Sequence, residues 1–429
     1  MALLLVGGLA CVVLPAADGA AEQRVSVPSD PNAPGFPDEI GIDGPGSIAD
    51  QYALDRQRSE YLFNLPAVDS LLEPWSALRE RLDKQYGFKP TLSFTHIYQW
   101  ASDAEGPEDD ASGFELVMDG TWTPLGRDTG SPSTLGFEVL WRDRMGTDIP
   151  PVALFGSVGS LYPTTVAFGE IGPSLGQLWV QQIFDHRVGF RIGKFFPVPA
   201  YDYFPLKNFR TDFVDGTHAA NVVIPLPDRG LGLLGVYRPQ PNVYIRVGIH
   251  DANADAERSG FNSIDEKEFF KIIEVGVDPG LAERQPGKPP PGDVHLSVWQ
   301  QDERDDDDIN NGWGFVLSGS QRFGRFLPFL RYGYSDSGRR GPSSIAHMVN
   351  GGVAIDDVFG QSNDRIGIGV TWSRPAVDSL DDQETVDLFY RVQVTPRIAV
   401  TPLVQFIVDP VRNSRDTVWV LGIRTRFAF

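Results

Sequence analysis

From Pro90 to the C-terminus, apolar and polar residues alternate with a period of two, in segments of about ten residues bounded by turn and loop residues. Leu92, Phe94, Tyr98 and Trp100 alternate with Ser93, Thr95 and Gln99. Phe114, Leu116, Met118 and Trp122 alternate with Glu115, Asp119 and Thr121. The rhythm returns in Leu135, Phe137, Val139 and Trp141, in Val243, Ile245, Val247 and Ile249, and in Ile366, Ile368, Val370 and Trp372. It closes with Trp419, Leu421, Ile423, Phe427 and Phe429. Successive side chains of a strand point to opposite faces, so each segment predicts a strand with one apolar and one polar face. About 16 such strands fit the chain, and the fold class is all-β.

Helical spacing is confined to one place. Trp75, Leu78 and Leu82 recur at turn intervals, with Pro74 near the first turn and Gly87 after the end, predicting one short N-terminal helix. Residues 22–73 are rich in Pro, Gly, Asp and Ser and predict little regular structure. Residues 1–21 are apolar and end in small residues, as in an export signal. The expected organisation is therefore a signal peptide over 1–21, an extension with the short helix over 22–88, and a barrel over 89–429.

Which face of the strands meets water decides between a soluble sandwich and a transmembrane antiparallel β-barrel. Trp100, Trp122, Trp141, Trp313, Trp372 and Trp419 fall at strand ends, as the interfacial girdles of a membrane barrel do. The opposite faces carry Arg, Glu and Gly, which suits a wet lumen. Connections alternate as well. Tight ones, such as Asp185-His186, Gly324 and Pro396-Arg397, alternate with long ones, such as 102–112, 144–176, 196–228, 252–266 and 302–311. Residues 277–292 are long on the short side and break that rule. Short turns at one end and long loops at the other match the outer-membrane pattern.

Composition narrows the reading further. The net charge of −20 disfavours nucleic acid, whose phosphates require a basic stripe. The single Cys, at position 11, excludes a disulfide scaffold and any Cys-based metal site. The His residues show no ligand spacing, no GxSxG occurs, and no constellation for catalysis stands out. The expectation is a protein that is not an enzyme and uses neither cofactor nor metal.

Several stretches resemble the OprB-type carbohydrate-selective porin family. They include Tyr86-Gly87-Phe88, Gln177-Leu178-Trp179-Val180-Gln181-Gln182, Arg191-Ile192-Gly193-Lys194-Phe195, and the C-terminal run Phe389-Tyr390-Arg391-Val392-Gln393-Val394-Thr395-Pro396. The resemblance covers roughly 74–429 and implies passive, carbohydrate-selective diffusion of mono- or small oligosaccharides across the outer membrane of a Gram-negative bacterium. One departure is the acidic stretch Asp103 to Asp110, where family members often carry a Gly-Gly element. The residues alone leave open a general or ion-biased porin without a sugar site, and a secreted soluble β-rich sugar-binding protein or hydrolase.

A sugar offers hydroxyls and a weakly apolar ring face, so Arg donors, carboxylate acceptors and aromatic platforms suit a constriction. The strand phase nominates Glu115, Asp119, Glu138, Arg142, Trp179, Gln181, Arg191, Arg246, Arg391 and Arg424 as pore-lining. The loop 196–228 is expected to fold inward, bringing Tyr201, Asp202, Tyr203, Lys207, Asn208 and Arg210. It also carries Asp212, Asp215, His218 and Asn221, with His218 expected to be a hydrogen-bonded loop residue rather than a ligand. Expected partners are sugars as permeants, outer-membrane lipid and lipopolysaccharide, and the barrel-assembly machinery through Phe429. Homotrimer and monomer are both open.

Overall fold

The computed structural model describes Ile42, Phe63 and residues 66–429, apart from 128, 262, 279–291 and 362–363. The expected signal over 1–21 and most of the extension lie outside the described residues. Sixteen strands follow one another: β1 (Phe88–Ala101), β2 (Asp110–Leu125), β3 (Ser133–Arg144), β4 (Ile171–Phe184), β5 (Val188–Phe195), β6 (Gly230–Gln240), β7 (Val243–Asp251) and β8 (Phe269–Val277). Then come β9 (Gly292–Gln301), β10 (Gly312–Gln321), β11 (Phe326–Asp336), β12 (Ile345–Asp356), β13 (Arg365–Pro375), β14 (Gln383–Gln393), β15 (Ile398–Val408) and β16 (Thr417–Ala428). Each pairs antiparallel with its sequence neighbours, and β1 pairs with β16 from Ser93 opposite Ala428 to Ala101 opposite Val420. Closure leaves no strand edge, which is the condition for a sheet to stand in lipid.

The period-two pattern sorts as expected. On β13 the side chains of Thr371 and Ser373 are buried inside, while Ile368 and Val370 are exposed outside. Trp100, Trp141, Trp313, Trp372 and Trp419 stand at the long-loop ends of their strands, and Trp122 near the short-turn end of β2. Tight connections keep to one end. Asp185 and His186 both hold a left-handed φ, near 50°, as the two central residues of a type I′ turn do, and the Arg187 amide closes that turn on the Phe184 carbonyl.

The helix is longer than the sequence predicts. α1 runs from Pro66 to Tyr86, so Pro74 lies inside it rather than in its first turn. Ser76 Oγ donates to the Leu72 carbonyl at 3.1 Å, a bond local to that proline. Gly87 ends the helix in a left-handed conformation (φ +68°) with its N–H on the Asp83 carbonyl. Arg79 Nε donates to the Pro90 carbonyl at 2.6 Å and Arg397 Nη2 to Ser76 Oγ at 2.8 Å, so α1 lies on the short-turn rim beside β1 and the β14–β15 turn. A second helix, which the sequence pattern does not reveal, is the five-residue α2 (Leu154–Val158).

The lumen is not uniformly polar. Phe329 on β11 and Phe389 on β14 point inward and seat Phe204 and Phe213 of the β5–β6 connection. The Phe204 and Phe329 rings are 4.6 Å apart, and Phe213 meets Phe389 edge-on at 4.9 Å. Much of the molecule's apolar core therefore lies inside the barrel.

Candidate functional site

The β5–β6 connection, residues 196–229, folds into the barrel and is fastened to most of its circumference. Tyr201 is bonded through its hydroxyl to His250 Nε2 on β7 at 2.9 Å. Gly248 makes the space, since a side chain there would collide with that hydroxyl. The Asp202 amide donates to Glu274 Oε2 on β8 at 2.6 Å, and its carboxylate bonds Asn221, His295 on β9 and Arg331 on β11. Burial alone would raise the Asp202 pKa; Arg331, the His295 hydrogen bond and Lys207 overcome it and hold the carboxyl well below its usual range. Asp212 accepts from Arg365 on β13 at 2.9 Å, and Arg424 on β16 donates to the Phe209 and Asp212 carbonyls at 2.6 and 2.9 Å. Thr217 meets Thr371 on β13.

On the opposite side Arg210 Nε donates to Glu115 Oε1 on β2 at 2.6 Å, and Arg142 on β3 donates to Oε2 at 2.5 and 2.8 Å. One buried carboxylate thus serves two guanidinium groups, one from the loop and one from the wall. Glu138 on β3 accepts from Arg229 at 2.6 Å and from Gln177 on β4 at 2.9 Å. The β3–β4 connection also enters the lumen. Tyr162 Oη donates to Thr385 Oγ1 at 2.6 Å, and Gln405 Nε2 donates to the Thr164 carbonyl at 2.7 Å.

Between the fastened loop and the walls of β1 to β5 lies a cavity of about 370 Å³. Lys89, Arg142, Arg191, Lys207, Arg210 and Arg229 supply donors to it; Asp119, Glu138, Asp228 and Gln177 supply acceptors. Trp179, Phe196 and Phe209 add aromatic surface. Arg191 lies over the Trp179 ring, 3.8 Å from its centre, and Arg229 over Phe196 at 4.4 Å. Burial draws the Lys207 ammonium down to about 8 against the pull of Asp202.

The structure divides the residues chosen from sequence. Asp119, Glu138, Arg142, Trp179, Arg191, Lys207 and Arg210 line the cavity together. Glu115 and Gln181 lie behind it, the first between Arg142 and Arg210, the second accepting from Arg191 at 2.8 Å. Tyr201 and Asp202 are fully buried fasteners, so Tyr201 presents no open ring face to a sugar. Tyr203 is half-buried and away from the cavity, and Asn208 accepts from the Arg210 amide within a local turn. Arg246 pairs with Glu274 at 2.8 Å, while Arg391 and Arg424 are buried on the side that the loop fills. Glu274, His295 and Arg331 are absent from the residues nominated by strand phase, although each has the inward phase, Glu274 between Ile273 and Val275, His295 between Val294 and Leu296, and Arg331 between Leu330 and Tyr332. Also absent are Arg229, Asp228 and the entry of the β3–β4 connection, for which no periodic signal exists.

A closed sixteen-stranded barrel narrowed by a loop that ion pairs hold inside it defines a porin-type channel. The chain belongs to the carbohydrate-selective porin, OprB family, whose model matches residues 156–429. Its fold is similar to that of Pseudomonas putida OprB determined at high pH, with a TM-score of 0.67, 15% identity, and coverage of 83% of this chain and 97% of that one. The low-pH structure of the same P. putida protein aligns with a TM-score of 0.50 and 14% identity, covering 83% of this chain and 96% of that one. No curated protein sequence matches the chain. Family and fold are those of a channel rather than an enzyme.

Proposed function

We propose that the protein resides in the outer membrane of a Gram-negative bacterium and lets mono- or small oligosaccharides diffuse passively down their gradient through the cavity beside β1 to β5. The observation that carries this is the lining itself: fixed donors, fixed acceptors and aromatic surface share one cavity of about 370 Å³. Glu115 and Glu138 preorganise the arginines, so a hydroxyl meets side chains already in place. No nucleophile is required, because the permeant leaves as it entered. The exposed apolar outer wall, with Trp at the strand ends, supports contact with lipid and lipopolysaccharide. Phe429, paired with Leu92 at the barrel seam, is the residue proposed for recognition by the assembly machinery.

Planar-bilayer conductance tests the proposal. Glucose and maltose are expected to reduce the ion current in a saturable way, and a current indifferent to every sugar tried excludes a sugar site. A second reading, an anion-biased channel without sugar preference, draws on the excess of basic over acidic side chains in the lining. It predicts anion selectivity with no sugar block.

A further inference from the structure

We propose that Asp215, His218 and Asp387 form a buried site for a divalent transition-metal ion, with Zn²⁺ or Mn²⁺ the best fit, that bolts the lumenal loop to the barrel wall. Asp215 and His218 belong to the loop, at a π-helical turn over Gly216–Ala220, whereas Asp387 stands on β14. One ligand atom from each lies within 4.8 Å of the other two, and all three side chains are buried.

The turn orients its two donors. Asp215 Oδ1 accepts from the amides of Thr217 and His218 at 2.7 and 3.0 Å and from Thr217 Oγ1 at 2.6 Å. That leaves Oδ2, which is 2.5 Å from His218 Nδ1. Phe213 stacks on the imidazole with ring centres 4.4 Å apart. On the other side the imidazole fits over Gly369, which pairs with Asp387 across β13 and β14; any side chain at 369 would strike Nε2. His218 is thus delivered to the strand pair that carries Asp387.

Asp387 makes the cluster more than an acidic group. Among the described residues no donor side chain bonds either of its oxygens, which lie against the Asp215 carboxyl, and His218 Nε2 is equally without a partner. Arg424, the nearby cation, gives its Nη1 to the loop carbonyls of Phe209 and Asp212 instead. Two carboxyls facing one another in a buried space require a shared cation or a shared proton. A dication with two carboxylates and a neutral imidazole is charge-neutral, and this mixed oxygen and nitrogen set suits Zn²⁺ or Mn²⁺. The three ligands join segments 169 residues apart in sequence, so the ion would fix the loop as a cross-link does.

The full chain in detergent, stripped with EDTA, is incubated with ZnCl₂ or MnCl₂, desalted and assayed for metal by mass spectrometry. About one ion per chain is expected, with a higher unfolding midpoint than the stripped protein. Asp387→Asn and His218→Gln should each lower bound metal at least tenfold while heat-modifiable mobility shows an intact barrel. Metal held equally by all three proteins, or by none, overturns the site and leaves the shared proton. Metal content is read independently of sugar flux, so the outcome does not depend on the permeant.

Discussion

Arg191 touches the Trp179 ring with its guanidinium face and Gln181 with its edge, and both contacts hold it at the cavity wall. Arg191→Ala removes a charged donor from the lining, so sugar block should weaken about tenfold, or about 1.4 kcal/mol, in bilayer titrations. Arg391→Ala serves as the contrast, because Arg391 lies outside the cavity lining and its loss should leave sugar block unchanged. Glu115 has a different role. Its substitution by Gln strands Arg142 and Arg210 without their shared anion, a loss of the kind that costs about 3–5 kcal/mol. The expected result is a lower unfolding midpoint and a larger single-channel conductance as the loop loosens. Asp202 sets the acid limit. Its folded pKa is depressed, so its contribution is complete above the ordinary carboxylate pKa of about 4 and fades as pH falls below that value. Wild-type conductance should therefore stay constant through about pH 4 and rise only in stronger acid, as the depressed pKa is approached, and Asp202→Asn should show the raised conductance at neutral pH.

At the scale of elements, the loop 196–229 acts as a lining inserted into a wider cylinder, and the wall is built to receive it. Inward Gly248 and Gly369 face Tyr201 and His218, so small residues on the wall oppose large ones on the loop. Gly248→Leu should expel Tyr201 and open the constriction, raising conductance and reducing sugar block, with barrel integrity checked by heat-modifiable mobility. The strands were legible in the sequence because their period follows from backbone geometry. The loop's anchors were not. Pairs such as Arg331 with Asp202 and Arg365 with Asp212 join residues more than a hundred positions apart, and no local pattern encodes them.

At the scale of the molecule, the charge of −20 misleads about the pore. The cavity lining carries six basic and three acidic side chains, whereas acidic runs such as Asp305 to Asp308 stand exposed in an outer connection. Focusing in a narrow low-dielectric passage makes the local charge decisive. In a KCl gradient the reversal potential should favour anions, less so at high salt and less so above about pH 8, where Lys207 loses its proton.

Alternating faces, the sixteen-strand barrel, the end that carries the long loops and the inward phase of Glu115, Glu138, Arg142 and Arg191 are all written in the linear order of residues. Each of these follows from periodicity or from chain connectivity, which are local. Packing across the lumen instead makes Tyr201 and Asp202 fully buried fasteners, turns Arg229 toward the cavity, and seats Phe204 and Phe213 against Phe329 and Phe389 inside the barrel. Those outcomes depend on how one long connection packs against a closed wall, and packing is settled by contacts among distant residues once the barrel has brought them together.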